Sequence, residues 1–170
     1  MTTSPQIYVA DLAAYNNGTL HGVWIDAAQS MHVIQHEIDE MLNNSPEADG
    51  EEYAIHDHEG FDGCSIHEYD SIDRVYEIAC FIATFPEFGA DLLAQFSSDI
   101  EEAQRHAEQN YCGHYDSVAD FAEELTESTT TIPKHVAFYI DYDKMVRDME
   151  MGGDIFTIGS PSAGWHIFWG

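Results

Sequence analysis

The sequence predicts an α+β fold in which strands near both ends of the chain flank a helical middle. Residues 7–12 and 20–26 favour strands, and the Asn17-Gly18 pair between them favours a tight hairpin-like turn. Apolar residues recur at helical spacing over residues 71–109, whereas residues 155–169 return to strand-like patterns. These three observations define the predicted fold class.

A small β-β-α-β unit is predicted up to about Gly63. Asp26 and Gln29 have the spacing of a capping box, which predicts a helix over about residues 31–42. Residues 53–58 provide the next strand candidate. The N-terminal part is therefore expected to combine a sheet with one helix.

The middle of the chain is predicted to contain three helices. Apolar residues from 72 to 82 form one helical stripe, and a second short helix is expected over residues 87–96. Ser98 and Glu101 form another predicted capping box, which would begin a helix over residues 99–109.

The C-terminal part is predicted to be mixed again. Residues 136–140 favour a strand, but the apolar residues that follow have helical spacing, so a helix is expected from about Asp141. The Gly152-Gly153 pair ends that helix. Two closing strands are expected at residues 155–160 and 166–169.

Residues 115–127 predict a short helix, capped by Ser117, with two sharply different faces. Val118, Phe121 and Leu125 fall on the apolar face. Like charges at i,i+4 on the other face each destabilise an isolated helix by about 0.2–0.5 kcal/mol, and no Lys or Arg relieves them. Five carboxylates on this face are the candidate partner-binding residues: Asp116, Asp120, Glu123, Glu124 and Glu127.

The whole chain is anionic, since 32 Asp and Glu against five Lys and Arg give a formal charge of −27 over 170 residues. Every third of the chain contributes, so the charge is not an acidic tail. The charge disfavours binding to nucleic acid or an anionic membrane and predicts steered association with a strongly basic partner. The candidate helix carries about one charge per 4 Å, close to the about 3.4 Å along one DNA strand. A halotolerant domain of unrelated function is an alternative interpretation.

Ten histidines raise a second alternative, an acidic metal-binding protein. His32 and His36 are spaced i,i+4 with Glu37 beside them, and residues 56–59 cluster His, Asp and Glu. The spacing is not H-E-x-x-H and assigns no third ligand. Surface histidines are therefore the favoured interpretation, and neither a metal ligand nor a cofactor is predicted.

No catalytic residue is predicted, because carboxylates are too numerous to single out an acid–base pair and no phosphate-binding or nucleophile motif occurs. Cys64, Cys80 and Cys112 lack C-x-x-C spacing, so reduced thiols and a cytoplasmic location are expected. The N-terminal MTTSPQ has no basic n-region, and the longest apolar run, residues 78–85, is too short to cross a bilayer.

Several separated motifs resemble the ArdA antirestriction proteins. They are IYVADLAAYNNGTLHGVWIDA at residues 7–27, EEYAIHDHEGF at 51–61, DSVADFAEEL at 116–125, YIDYDKMVRDM at 139–149 and HIF at 166–168. The motifs occur in order and cover essentially the whole chain.

The resemblance implies a non-catalytic DNA mimic, encoded on mobile elements, that binds type I restriction-modification enzymes in place of their DNA. The expected partner is the methyltransferase core or the full endonuclease. The resemblance also implies an elongated series of three small domains that forms a homodimer. Combined with the changes of pattern near Gly63 and Gln109, it predicts domains at residues 1–63, 64–109 and 110–170. Only the acidic face of residues 116–127 is carried over as a contact.

Overall fold

The computed structural model describes residues 4–47 and 50–170. Residues 1–3, 48 and 49 lie outside the described residues, and so does half of the N-terminal MTTSPQ stretch interpreted above. Contacts between Cα atoms divide the chain into two compact units, one up to Ile100 and one from Glu101 to Gly170. The fold is mixed, with eight α-helices and two three-stranded antiparallel sheets in the described ranges. The division into three domains stays a prediction.

The first unit contains a sheet with one helix packed on it. Buried Ile34, Ile38 and Met41 recur along helix α2 at the spacing of one helical face, and α2 contacts the first two strands. The strand order is β2-β1-β3, with both pairs antiparallel. The elements are β1 (Gln6–Asp11), β2 (Gly22–Asp26), α2 (Met31–Asn43) and β3 (Tyr53–Glu59). The three strands and the helix of the predicted β-β-α-β unit are present, with an additional short helix between the first two strands.

The connection between β1 and β2 differs from the predicted tight turn. A short helix, α1 (Leu12–Asn16), follows β1 directly. The Asp11 carboxylate caps it by accepting hydrogen bonds from the backbone N–H groups of Ala13 at 2.9 Å and Ala14 at 3.2 Å. An N-cap of this kind satisfies donors that a helix start leaves unpaired, so it competes successfully with the Asn-Gly turn signal.

Two of the predicted capping boxes are wrong. Helix α2 begins at Met31 after Ser30, while Asp26 accepts the N–H of Ala28 at 2.9 Å in the preceding turn. Ser98 has a φ of 62°, which is not the extended conformation that an N-cap requires.

The remaining helices of the first unit agree with the sequence pattern. Ser71 caps the first of them through a hydrogen bond from Arg74 N–H at 3.3 Å. The segment between β3 and the first of these helices is hydrogen-bonded to β3, since Ile55 N–H donates to the Glu68 carbonyl at 3.0 Å. These helices are α3 (Ile72–Thr84) and α4 (Gly89–Gln95). The helix predicted over residues 99–109 belongs to the second unit from Glu101 onward. It is α5 (Ile100–Arg105) continued by a single π-helical turn (His106–Asn110).

The second unit is built on a sheet of strand order β4-β6-β5, with both pairs antiparallel. Strand β4 was not predicted, and residues 136–140 do not form a strand. The strands are β4 (Tyr111–Tyr115), β5 (Ile155–Ser160) and β6 (Gly164–Trp169). The helices are α6 (Val118–Thr129), α7 (Lys134–Ala137) and α8 (Tyr142–Gly152).

The core of the second unit lies between α6 and its sheet. Phe121, Ile155 and Ile167 form a buried cluster, against which Val118 and Leu125 pack. The predicted apolar face of the acidic helix is therefore confirmed as its anchor. Helix α8 packs against α6. Among the described residues, no helix has the length and apolarity needed to cross a membrane.

Asp11 is buried and links three parts of the first unit. It ends β1, caps α1 and accepts a hydrogen bond from the Ser45 hydroxyl. Burial alone would raise the pKa of Asp11, but the hydrogen bonds from Ser45, Ala14 and Ala13, with the charge of His21, lower it below the usual 3.8. The folded state therefore favours the ionised carboxylate.

We expect Asp11→Ala to lower the free energy of unfolding by about 1–3 kcal/mol at neutral pH, because it leaves buried donors unpaired. A lowered folded pKa gives stability that is present above the unfolded pKa and lost as pH falls through the folded pKa. In urea unfolding, the difference in the free energy of unfolding between wild type and Asp11→Ala should therefore shrink below about pH 3.8. Asp39→Ala, at an exposed site on α2, is the control and should change stability by less than about 0.5 kcal/mol. A pH-independent difference would contradict this role.

Candidate carboxylate interface

The five nominated carboxylates are all exposed, but only four of them lie on α6. The helix begins at Val118, later than predicted, so Asp116 occupies the bend between β4 and α6. The expected helical repulsion between Asp116 and Asp120 therefore does not arise from i,i+4 packing. Asp116 is placed beside the helix N-terminus, where a negative charge is stabilising.

Asp120 helps to cap the N-terminus of α6. Its carboxylate accepts hydrogen bonds from Ser117 N–H at 3.0 Å and from the Ser117 hydroxyl at 2.7 Å. In return, Asp120 N–H donates to the Ser117 hydroxyl oxygen at 3.2 Å. This reciprocal capping box confirms Ser117 as the predicted cap. Replacing Asp120 would therefore change helix stability together with charge.

Glu123 and Glu127 lie one helical turn apart and line an open cleft of about 500 Å³. Tyr142 on α8, Lys134 on α7 and the hydroxyl-rich residues 128–131 contribute to the same cleft. Partial burial, followed by the charges of Glu123 and Glu127, raises the pKa of Tyr142. The phenol therefore remains protonated at neutral pH and can donate a hydrogen bond.

Glu124 interacts with Tyr115 at the end of β4. Burial, followed by the charge of Glu124, raises the pKa of Tyr115, and a hydrogen bond between the two side chains adds to the shift. The carboxylate is thereby connected to the sheet on which α6 packs.

None of these carboxylates is directly paired with a positively charged side chain in the described residues. Across residues 4–47 and 50–170, none of the five forms a salt bridge within 4.0 Å to Lys, Arg or His. Exposed, unpaired carboxylates are acceptors for the ammonium and guanidinium groups of a partner. Asp11 is the one buried carboxylate in the described part of the chain, so charge elsewhere is exposed or half-buried as well.

The histidine clusters form ordinary surface contacts. His56 lies 3.8 Å from Glu68 and edge-on to Tyr15, with ring centroids 4.6 Å apart. His32 and His36 line a separate cleft of about 590 Å³ with Tyr53. In the part of the chain that the structure describes, no group of three or more His, Cys, Asp or Glu could hold a metal ion.

Sequence reasoning missed the tyrosines beside the carboxylates and the hydroxyls of the cleft. Tyr142 carried only a helical-spacing signal, and Tyr115 was assigned to the helix. The threonine run at residues 129–131, which follows the predicted helix, received no functional interpretation. Its composition was the available signal, because consecutive hydroxyl side chains next to acidic residues indicate polar binding surface.

Comparison with known proteins finds a match to one family. A family model described as Antirestriction protein (ArdA) matches residues 7–162. That range includes all five nominated carboxylates. No curated protein matches the chain.

Proposed function

Because this chain belongs to the ArdA family of antirestriction proteins, we propose that it inhibits type I restriction-modification enzymes as a non-catalytic DNA mimic. The inhibitor occupies the DNA-binding groove of the methyltransferase core or of the full endonuclease. Its carboxylates take the positions of DNA phosphates and accept hydrogen bonds from the Lys and Arg side chains that line such grooves.

The observation that carries this proposal is the set of exposed carboxylates at α6, namely Asp116, Asp120, Glu123, Glu124 and Glu127, without salt-bridge partners among the described residues. A solvated surface of a cytoplasmic protein normally intersperses both signs of charge. Here the cost of like-charge repulsion is left unrelieved, which is expected of a surface whose positive counterpart belongs to another molecule.

The magnitude of the charge supports the same function. Duplex DNA carries one charge per about 1.7 Å, so the net charge of −27 corresponds to about 46 Å of duplex. A homodimer would correspond to roughly twice that length. The homodimer and the elongated arrangement of three domains are parts of the proposal, since they extend the charge along one groove.

Inhibition of DNA cleavage tests the proposal. A type I restriction endonuclease would be incubated with unmodified plasmid and increasing amounts of the chain, at several DNA concentrations. We expect complete inhibition, with a half-inhibiting concentration that rises with DNA concentration because both ligands compete for one groove. We also expect weaker inhibition at higher salt, since many charge contacts must form.

Two controls separate a shaped mimic from a general polyanion effect. Polyglutamate of matched total charge should inhibit only at much higher concentration, and a type II endonuclease on the same plasmid should remain active. Equal inhibition of both endonucleases would contradict the proposal, and so would cleavage that continues at a large excess of the chain.

A further inference from the structure

The outer face of the first sheet carries two aromatic rings that lie outside the core. Helix α2 packs against β1 and β2. Ile7 and Val9, which flank Tyr8 in β1, are fully buried. Because successive side chains of a strand point to opposite faces, Tyr8 points away from that core. Trp24 lies opposite Tyr8 in β2 and is 41% exposed. We term Tyr8 and Trp24 the aromatic platform.

Contacts within the sheet hold the aromatic platform in place. The two rings pack with centroids 5.5 Å apart and planes at 53°. The Tyr8 ring also lies over Gly22, since a Cβ at residue 22 would be 2.7 Å from Tyr8 Cζ and 2.8 Å from its hydroxyl oxygen. Glycine therefore leaves room for a ring close to the backbone. The Tyr8 ring lies along the sheet beside Trp24, which leaves part of the Trp24 ring open to solvent.

Carboxylates border the platform on the neighbouring strand. Asp57 lies opposite Tyr8 in β3, and Glu59 lies opposite Gln6, so both share the face of the platform. Strands in a sheet are about 4.8 Å apart, which places the backbone of Asp57 about 10 Å from that of Trp24. Both carboxylates are exposed, and neither forms a salt bridge within the described ranges. Rings and carboxylates thus form one surface.

The cation that this surface attracts must come from another molecule, because residues 1–73 contain no Lys or Arg. Platforms that stack nucleic-acid bases combine rings with a basic groove, so the missing basic residues disfavour a nucleic acid here. Arginine fits both parts of the surface, since its planar guanidinium stacks on aromatic rings while its N–H groups donate to carboxylates. Lysine carries a compact, strongly hydrated charge and gains less from a ring.

We propose that the aromatic platform, with Asp57 and Glu59, binds arginine side chains in the DNA-binding groove of the restriction enzyme. This inference rests on the proposed function and deepens it, because it adds a contact of the first unit that selects arginine. Salt screens contacts made by carboxylates alone. A guanidinium stacked on a ring also buries apolar area, which salt does not screen. The platform therefore supplies a salt-resistant part of the affinity.

Fluorine NMR of the full chain labelled with 5-fluorotryptophan tests the platform itself. Three tryptophans give three resonances, and Trp24→Phe identifies that of Trp24 by its loss. We expect a blocked tetra-arginine peptide to shift this resonance at concentrations about 2- to 5-fold below those of tetra-lysine. Trp169, which is 39% exposed, is the internal comparison and should shift less. Asp57→Asn/Glu59→Gln should raise the half-saturating concentration of both peptides.

The cleavage assay tests whether the enzyme uses the platform. Trp24→Leu keeps an apolar side chain on β2 but removes the ring, and should raise the half-inhibiting concentration about 5-fold at every salt concentration. Trp24→Phe keeps a ring and should stay within about 2-fold of wild type. Leu20→Ala truncates an apolar side chain that is 70% exposed in the same unit, and should inhibit like wild type. Circular dichroism should show native secondary structure in all three variants.

Four results would overturn the inference. They are a Trp24 resonance that tetra-arginine does not shift, equal responses to tetra-arginine and tetra-lysine, equal shifts of Trp24 and Trp169, and a Trp24→Leu variant as potent as wild type. A single-stranded oligonucleotide that shifts the Trp24 resonance would assign the platform to nucleic acid and also overturn it. The peptide titration needs no enzyme, so it decides on the platform separately. A wild-type chain that binds tetra-arginine at Trp24 but leaves the enzyme active would contradict the proposed function.

Discussion

Replacement of Asp116, Glu123, Glu124 and Glu127 by their amides is expected to weaken inhibition of a type I restriction enzyme by roughly 30-fold at low salt. Exposed ion pairs contribute modestly when taken singly, so the effect comes from removing four of them together. All four side chains are exposed and lie on or next to α6. The measurement is the half-inhibiting concentration in the cleavage assay, compared with wild type across a salt series.

The variant keeps Asp120 because that carboxylate caps α6 through Ser117. The matched control retains all four charges and should inhibit like wild type. It carries Asp116→Glu, Glu123→Asp, Glu124→Asp and Glu127→Asp. Loss of the Glu123/Glu127 repulsion should offset the loss of the stabilising Asp116 charge at the helix N-terminus, so the thermal midpoint of the amide variant should stay close to that of wild type. Weaker inhibition with an undiminished midpoint therefore reports lost contacts. A fully potent amide variant would show that this face is not the contact.

Phe121→Ala is expected to lower the stability of the second unit by about 3–5 kcal/mol. Phe121 is buried with Ile155 and Ile167, and its ring packs edge-on against Tyr115 and Trp169 at centroid distances of 5.4 and 5.7 Å. Truncation leaves a cavity where α6 contacts the sheet. Urea unfolding monitored by tryptophan fluorescence should show an earlier transition, with Trp169 reporting on this unit.

Phe138→Ala is the control for that measurement, since it removes the same side chain from a site 90% exposed in the same unit. It should change stability by less than about 0.5 kcal/mol. Because the chain has two compact units, the transitions should be fitted separately rather than as one two-state step. Equal effects of the two substitutions would contradict the assignment of the core.

The elements that sequence reasoning located correctly are those decided by local chemistry. The apolar period of α3 and the cap Ser117 are each predicted from a few neighbouring residues, and the structure contains both. Helix α8 likewise starts after Asp141, whose carboxylate accepts Lys144 N–H at 2.9 Å. In each case the deciding hydrogen bonds join residues three or four positions apart.

The elements that were missed depend on partners distant in sequence. Strand β4 pairs with β6, where Tyr111 lies opposite Phe168. No local sequence pattern predicts that pairing. Helix α1 is stabilised by Asp11, whose other partner, Ser45, is 34 residues away. Residues 136–140 have β-branched and aromatic character but pair with no strand in the described structure. The tertiary structure therefore overrides the β-propensity of these residues.

The candidate site was likewise predicted only in part. Its carboxylates follow from composition and helical spacing, and their exposure is confirmed. The interactions of Glu124 with Tyr115 and of Glu123 with Tyr142 require the fold, because β4 and α8 supply those tyrosines. The cap at Asp120 is local, since its partner Ser117 lies three residues away. Charge and cap were thus predictable from sequence, whereas the contacts of Glu123 and Glu124 with the tyrosines were not.

Direct displacement of DNA from the enzyme tests the central claim most directly. A fluorescent duplex containing the recognition sequence would be bound to a type I methyltransferase, and its anisotropy followed while the chain is added. Occupation of the DNA groove by the carboxylates predicts that the anisotropy falls to the value of free duplex, at chain concentrations that rise with the DNA concentration. An anisotropy that stays at the value of the bound duplex, or rises through a ternary complex, at saturating chain would contradict DNA mimicry.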